Sequence, residues 1–302
     1  MMKKSVLSWM MMAIVYLVAI PCITYASAGN LNVGRGTYLF QEATGADNSP
    51  IKIYYYCPST WNSNDSIVFV FHGMNRNAEQ YCNSWEKYAE INNLLIICPE
   101  FTDHKYPGVR YYNTGNVMDN SKGGGNIQPK ERWVFPVINR IIRDVKGRTN
   151  SNDCKIVIFG HSAGAQILHR YILFEESTEA DMIIPANAGW YTMPDYETRF
   201  PYGIKDVPVT KNMLIAAFAK PVVILLGESD IQRTSNLRMT PEADRQGLNR
   251  LARGKNFYAM AKAKANELGV PFNWRLITVP DVGHSGSKMA GGAIKLIREM
   301  FR

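Results

Sequence analysis

The sequence predicts an α/β fold with a mostly parallel central sheet and helices on both faces. Three observations carry that prediction. Runs without a polar residue, such as Ile67-Val68-Phe69-Val70-Phe71, recur along the chain. Stretches with helical periodicity alternate with those runs. The 302 residues are 46% hydrophobic and 20% charged, enough apolar material for one sizeable core. A strand covered on both faces has no wet side, so it loses the in-out alternation of a half-exposed strand and reads as a continuous apolar run.

The first residues are of another kind. Lys3 and Lys4 precede an apolar run from Val6 to Ile20, and Pro21 leads to Ala26-Ser27-Ala28. A basic start, an apolar stretch and a small-residue triplet make a secretory signal over residues 1–28, cut after Ala28, so that the mature chain begins at Gly29 and is secreted or periplasmic. The competing reading is an uncleaved membrane anchor, because the run approaches the length that spans a bilayer. Pro21 before Cys22 argues against a lipid anchor there. With the signal removed, no stable membrane insertion is expected, and residues 29–302 are predicted to be a single catalytic domain.

The mature chain opens with two β-rich runs, Thr37–Gln41 and Ile51–Cys57, joined by Gly45-Ala46-Asp47-Asn48-Ser49-Pro50, which is turn-forming throughout. They predict an antiparallel hairpin. Strand Ile67–Phe71, helix Ala78–Asn92 and strand Leu94–Cys98 follow as a strand-helix-strand unit. The pattern repeats with a helix over Glu131–Val145, a strand over Lys155–Phe159, a helix over Ala163–Phe174, and strands at Met182–Ile184 and Val222–Leu226. Helices over Gly247–Leu268 and Lys288–Phe301, with strand Trp274–Val279 between them, complete the sheet. Two long irregular stretches, Phe101–Gln128 and Trp190–Thr210, follow strand ends. Open α/β sheets bind ligands beyond the carboxyl ends of their strands, so these loops are candidate walls of a site, with plain surface insertions as the alternative.

Gly160-His161-Ser162-Ala163-Gly164 lies between the strand ending at Phe159 and the helix beginning at Ala163. In that setting a G-x-S-x-G sequence makes a sharp turn that pushes the serine outward, and its glycines leave room for neighbouring backbone. A serine hydroxyl is a weak nucleophile and needs a base, which in turn needs an orienting group. Such sheets present them in the chain order serine, acid, histidine. His284, in Val282-Gly283-His284-Ser285 after the last predicted strand, fits the base better than His72, His104, His161 or His169. For the acid, Glu228 and Asp230 both follow the strand that ends at Gly227. Asp230 is preferred because Gly-x-x-Asp lets the chain turn before the carboxylate is presented, and Glu228 is the runner-up. Two N–H donors must also face a developing oxyanion. The backbone of Ala163 supplies one, and Met74, in His72-Gly73-Met74 at the end of an apolar strand, supplies the other.

Of the residues in the Trp190–Thr210 stretch, Trp190 and Tyr191 are the first candidates for substrate contact, with Tyr196, Phe200 and Tyr202 behind them; packing onto the domain is the alternative for all five. No HExxH, acidic calcium loop or phosphate-cradling glycine motif occurs, so no metal or cofactor is expected. Loss of two lysines with the signal lowers the formal charge of +8 by two. The remaining basic residues are scattered among acids, which argues against a nucleic-acid partner. Cys57, Cys82, Cys98 and Cys154 remain, an even number compatible with two disulfides in an exported protein and, alternatively, with buried free thiols. The expectation is at least one disulfide.

These residues resemble the secreted esterase branch of the α/β-hydrolases, which includes polyhydroxybutyrate depolymerase-like and feruloyl esterase-like enzymes. The likeness rests on His72-Gly73-Met74 with Asn75-Arg76-Asn77-Ala78, on Gly160 to Gly164 with Gln166 and His169-Arg170, on Gly227 to Asp230, and on Gly283-His284-Ser285. It implies a serine hydrolase that cuts carboxylic esters through an acyl-enzyme, acting on a small ester or an ester-bearing polymer. Polymer-degrading members often carry a separate binding domain, whereas this chain ends with its last helix, which weighs against a polymer. The rival readings are a peptidase or thioesterase with the same three residues, and a silent binding protein that keeps the fold.

Overall fold

The computed structural model describes residues 31–120, 122 and 124–300; the apolar run, the expected cut after Ala28 and Cys22 lie outside the described residues. Strands β1 (Gly34–Phe40) and β2 (Ile51–Cys57) form the predicted hairpin, with Gly34 opposite Cys57 and Phe40 opposite Ile51. The rest of the chain runs β3 (Ile67–Phe71), α1 (Ala78–Asn92), β4 (Leu95–Pro99), α2 (Phe135–Thr149), β5 (Ile156–His161), α3 (Ala163–Phe174) and β6 (Met182–Ala186). It continues through α4 (Lys211–Ala219), β7 (Val223–Gly227), α5 (Pro241–Arg245), α6 (Arg250–Leu268), β8 (Arg275–Val279) and α7 (Gly286–Met300).

The eight strands make one sheet in the order β1-β2-β4-β3-β5-β6-β7-β8. β2 pairs antiparallel with β4, and every pairing from β4 to β8 is parallel. Successive side chains of a strand leave opposite faces of the sheet. Thus Ile67, Phe69 and Phe71 join the core layer that holds residues of α2, α3, α4 and α6, while Val68 and Val70 join the layer under α1 and α7. Both faces are covered, which is why β3 to β7 are buried along their whole length. From β3 the chain crosses to β4 on one side and then to β5 on the other. The crevice between the carboxyl ends of β3 and β5 is therefore the topological switch point, where such sheets leave room for a ligand.

Some elements depart from the sequence expectation. α2 begins at Phe135 rather than Glu131, because Lys130–Arg132 form a single 3-10 turn and Trp133 is extended. Pro136 then falls in the first helical turn, where its missing N–H leaves no bond unmade. α6 begins at Arg250, capped by the Asn249 side chain, which accepts from Ala252 N–H. The short helices α4 and α5 were not foreseen; each starts at a threonine cap, Thr210 and Thr240.

Cys57, Cys82, Cys98 and Cys154 are free thiols, so the expected disulfide is not formed. Each fills an apolar packing position instead: Cys57 and Cys154 in one core layer, Cys82 of α1 and Cys98 of β4 in the other. Burial pushes the Cys98 thiol well above its usual range, and the neighbouring Cys82 adds to the shift. Among the described residues no helix is long and apolar enough to cross a membrane.

Candidate active site

β5 ends at His161, and Ser162 follows with φ 58° and ψ −112°, a left-handed conformation that a residue with a side chain adopts only when its surroundings hold it there. Two contacts do so: Ser162 N–H donates to Ala186 O at 3.0 Å, and Ser162 O accepts from Gln166 N–H at 3.1 Å. The flanking glycines are needed for space. A Cβ on Gly164 would stand 2.2 Å from Phe71 O, and one on Gly160 2.5 Å from Gly164 O. The turn is thus wedged against the end of β3, and the serine side chain faces the crevice.

The loops after β7 and β8 bring Asp230 and His284 to the same place. His284 Nδ1 lies 2.7 Å from Asp230 Oδ2, and Nε2 lies 3.0 Å from Ser162 Oγ. The charged carboxylate can only accept, so Nδ1–H donates to it and Nε2 is free to accept from the serine hydroxyl. Asp230 is 2% exposed, and its other oxygen faces Arg250 Nη1 at 3.5 Å. Glu228, the alternative acid, is exposed and accepts from Thr278 Oγ1 at 2.7 Å, away from the histidine.

Three residues that sequence reasoning passed over brace this arrangement. Asn187, after β6, accepts from Gly227 N–H at 2.8 Å through Oδ1 and donates from Nδ2 to Gly283 O at 3.4 Å, which ties the acid loop to the histidine loop. His161, set aside as part of the turn, is buried with its ring 4.6 Å from that of His284. Tyr81 of α1 reaches His161 Nδ1 at 2.9 Å, with the Gly73 N–H against the same phenolic oxygen. Burial first, then the nearby His284 and Arg250, hold His161 well below the usual imidazole range. It is neutral, so Tyr81 O–H donates to Nδ1 and no second positive ring opposes His284. No local sequence signal marks Asn187 or Tyr81, because both act across strands.

The loop after β3 is braced as heavily. His72 Nε2 accepts from Phe101 N–H at 3.0 Å while Nδ1–H donates to Gly73 O at 2.9 Å, and burial lowers its pKa to about 3. Tyr112 stacks on the His72 ring and donates to His72 O at 2.8 Å. Arg76 donates to the carbonyls of Phe101, Tyr106 and Gly108 at 2.8, 3.0 and 3.1 Å. Met74 and Ala163 line one cleft with Ser162, and among the described residues neither backbone N–H has an acceptor. That cleft has a volume of about 410 Å³.

Trp190 lines the cleft, as expected. Tyr191 does not. It is buried, stacks on Phe257 with ring centres 4.6 Å apart, and exchanges two hydrogen bonds with Gln246. The chain bends at Trp190, so the two buried neighbours pack into different clusters: Tyr191 joins the main core with Phe257 and Trp274, and Trp190 a separate small one with Tyr202 and Ala243. Phe200 is also core, against Phe174, and Tyr202 sits behind Trp190. Tyr196 is partly exposed and is not among the cleft residues.

No protein-family model and no curated protein matches the chain. Solved structures do. Poly(aspartic acid) hydrolase-1 from Sphingomonas sp. KT-1 is 38% identical with a TM-score of 0.83, the match covering 89% of this chain and 100% of that one. LpqC, a poly(3-hydroxybutyrate) depolymerase from Bordetella parapertussis, is 32% identical with a TM-score of 0.83, over 89% of this chain and 90% of that one. The chain belongs to the α/β-hydrolase superfamily, in its esterase and depolymerase branch. This α/β-hydrolase shares the fold alone with an S-formylglutathione hydrolase from Agrobacterium tumefaciens, 14% identical with a TM-score of 0.52 over 89% of this chain and 96% of that one. Membership brings the general serine-hydrolase chemistry of the superfamily.

Proposed function

We propose that this α/β-hydrolase is an exported serine esterase in which Ser162 is the nucleophile, His284 the base and Asp230 the orienting acid. The observation that carries the reading is the unbroken hydrogen-bond chain from Asp230 through His284 to Ser162 Oγ. In the first step Ser162 Oγ attacks the ester carbonyl carbon while His284 Nε2 takes the hydroxyl proton. The Met74 and Ala163 N–H groups hold the resulting oxyanion. Collapse expels the alcohol, which takes the proton back from His284 and leaves an acyl-Ser162. Water, deprotonated by the same imidazole, then releases the carboxylic acid and restores the serine. Asp230 keeps the reactive tautomer and stabilises each imidazolium.

A second reading keeps the three residues and changes the bond. The 38% identical relative is named a poly(aspartic acid) hydrolase, which favours an amide in an acidic polymer; the 32% identical one is named a polyester depolymerase. The match covers 100% of the first of those chains and 90% of the second. Hydrolysis of 4-nitrophenyl butyrate, hydroxybutyrate oligomers and poly(aspartic acid), assayed side by side, separates ester from amide. A serine-reactive phosphonate should label Ser162 alone, and Ser162→Ala should abolish both labelling and turnover; an active alanine variant would remove the assignment. Export rests on residues 1–28, and mature protein starting at Gly29 is its test.

A further inference from the structure

At one end of the cleft stand two guanidinium groups that, among the described residues, no carboxylate meets in an ion pair, the partly exposed Glu242 acting on Arg238 only from a distance. Arg170 of α3 is fully buried; its Nε donates to Thr192 Oγ1 at 2.8 Å and its Nη1 to Asn113 O and Gln166 O, both at 2.9 Å. Its Nη2 has no partner, and among the described residues no carboxylate pairs with it. The guanidinium lies 4.1 Å from the centre of the Trp190 ring. Arg238, in the loop between β7 and α5, places a second guanidinium 4.7 Å from the same ring and 5.4 Å from that of Tyr202. Arg238 lines the cleft, and among the described residues it makes no hydrogen bond or ion pair.

The fold does not treat its other buried arginines this way. Arg250 faces Asp230 at 3.5 Å, and Arg253 meets Asp244 at 2.9 Å. Asp103 is the one acid on the cleft wall, and it serves the opposite end, 3.5 Å from Arg76 and accepting from Gly108 N–H at 2.8 Å. Two guanidinium groups drawn to one indole repel each other, and a buried cation without a counterion is costly. Burial, then Arg238, hold the Arg170 guanidinium well below its usual range, the direction that uncompensated charge requires. An anion held beside Arg238 at the edge of Trp190 would relieve both. The two rings hold the Arg238 guanidinium in place while its N–H groups stay without a protein acceptor, and a guanidinium can bind a carboxylate with two parallel hydrogen bonds. Gln166, on the same wall, accepts from Asn113 Nδ2 at 3.1 Å through Oε1, and its Nε2 has no protein acceptor.

We propose that Trp190 and Arg238 form a carboxylate subsite, with the charge of the buried Arg170 beneath the cleft wall adding to its field, and that the substrates of Ser162 are acyl compounds carrying a free carboxylate. The proposal rests on the reading of Ser162 as nucleophile. A neutral polyester offers this end of the cleft nothing that balances it.

Two substrate pairs test it, each an anion and its methyl-capped neutral counterpart: 4-nitrophenyl monoadipate for a carboxylate on the acyl side, and 4-acetoxybenzoate for one on the alcohol side. The ratio of kcat/KM, anion over neutral, should exceed about tenfold in at least one pair and fall at about 0.5 M NaCl. Arg238→Gln should bring that ratio close to one, Arg238→Lys should keep part of it, and Arg245→Gln, a charge change on α5 outside the cleft, should leave it alone. Free adipate should inhibit hydrolysis of the neutral ester, more weakly in Arg238→Gln. Neutral esters favoured in both pairs, or a ratio that Arg238→Gln does not move, would overturn the subsite while leaving the nucleophile in place. Hydrolysis of neither member, with no labelling of Ser162, would instead overturn the reading beneath it.

Discussion

The two ends of the cleft are built on opposite plans. Around Ser162 the side chains that set the geometry have protein partners: Asp230, His284 and Ser162 are linked in line, and Asn187, His72 and Tyr81 are each hydrogen-bonded, although the buried His161 Nε2 and Arg250 Nε have none. Around Trp190, Arg238 and the Arg170 Nη2 are left without one. The first end is settled before any substrate arrives, so no reorganisation is needed during reaction. At the second end the N–H groups of Arg238 on the cleft wall are unspent, and on the proposed reading they are what selects a substrate.

That contrast fails if the Ser162 end is not what it looks like. Asp230→Asn keeps the shape and reverses the hydrogen-bond preference at His284 Nδ1, so turnover should fall by about ten-thousand-fold with little change in Tm. Glu228→Gln should cost less than about tenfold, since Glu228 is engaged with Thr278. Active Asp230→Asn and silent Glu228→Gln would reassign the acid.

Tyr81→Phe sharpens the comparison. Tyr81 touches no reacting atom; it positions His161 and the loop at Gly73. Its loss should lower kcat by about ten- to hundredfold, with KM and Tm little changed. A rise in KM at constant kcat would place Tyr81 among the binding residues.

The smallest effect concerns acid stability. His72, His161 and His169 are buried and neutral, each with its pKa depressed by burial. The unfolded chain takes up these protons below about pH 6.5 while the folded chain does not, so stability is full above that pH and is lost as pH falls toward the folded values. Each histidine contributes a slope of up to about 1.4 kcal/mol per pH unit. Urea midpoints at pH 7, 6 and 5 should decline in step; equal midpoints would show that these rings are charged in the fold.

What the sequence made legible follows from how local each signal is. Ser162 sits in a five-residue motif between a strand and a helix, and His284 and Asp230 each follow a recognisable strand end, so all three were readable together. Tyr191 was misread because loop composition does not say which side of the backbone faces the core. α4 was missed because Met213-Leu214-Ile215-Ala216-Ala217-Phe218 is apolar all round and shows no helical stripe. The even cysteine count suggested pairing, yet it could not show that each thiol fills a hydrophobic gap. The arginines around Trp190 are separate in sequence, and only the packed loops bring them onto one ring.

The histidine loop lies between β8 and α7, near the end of the chain, and its partners are 54 and 122 residues upstream. Closing such long spans is slow, because chain entropy is lost before any contact compensates. The reactive cluster therefore comes into being only when the last strand docks beside β7. On the proposed reading, a chain emerging residue by residue would lack activity until that segment is in place, and on refolding, activity should return after bulk secondary structure.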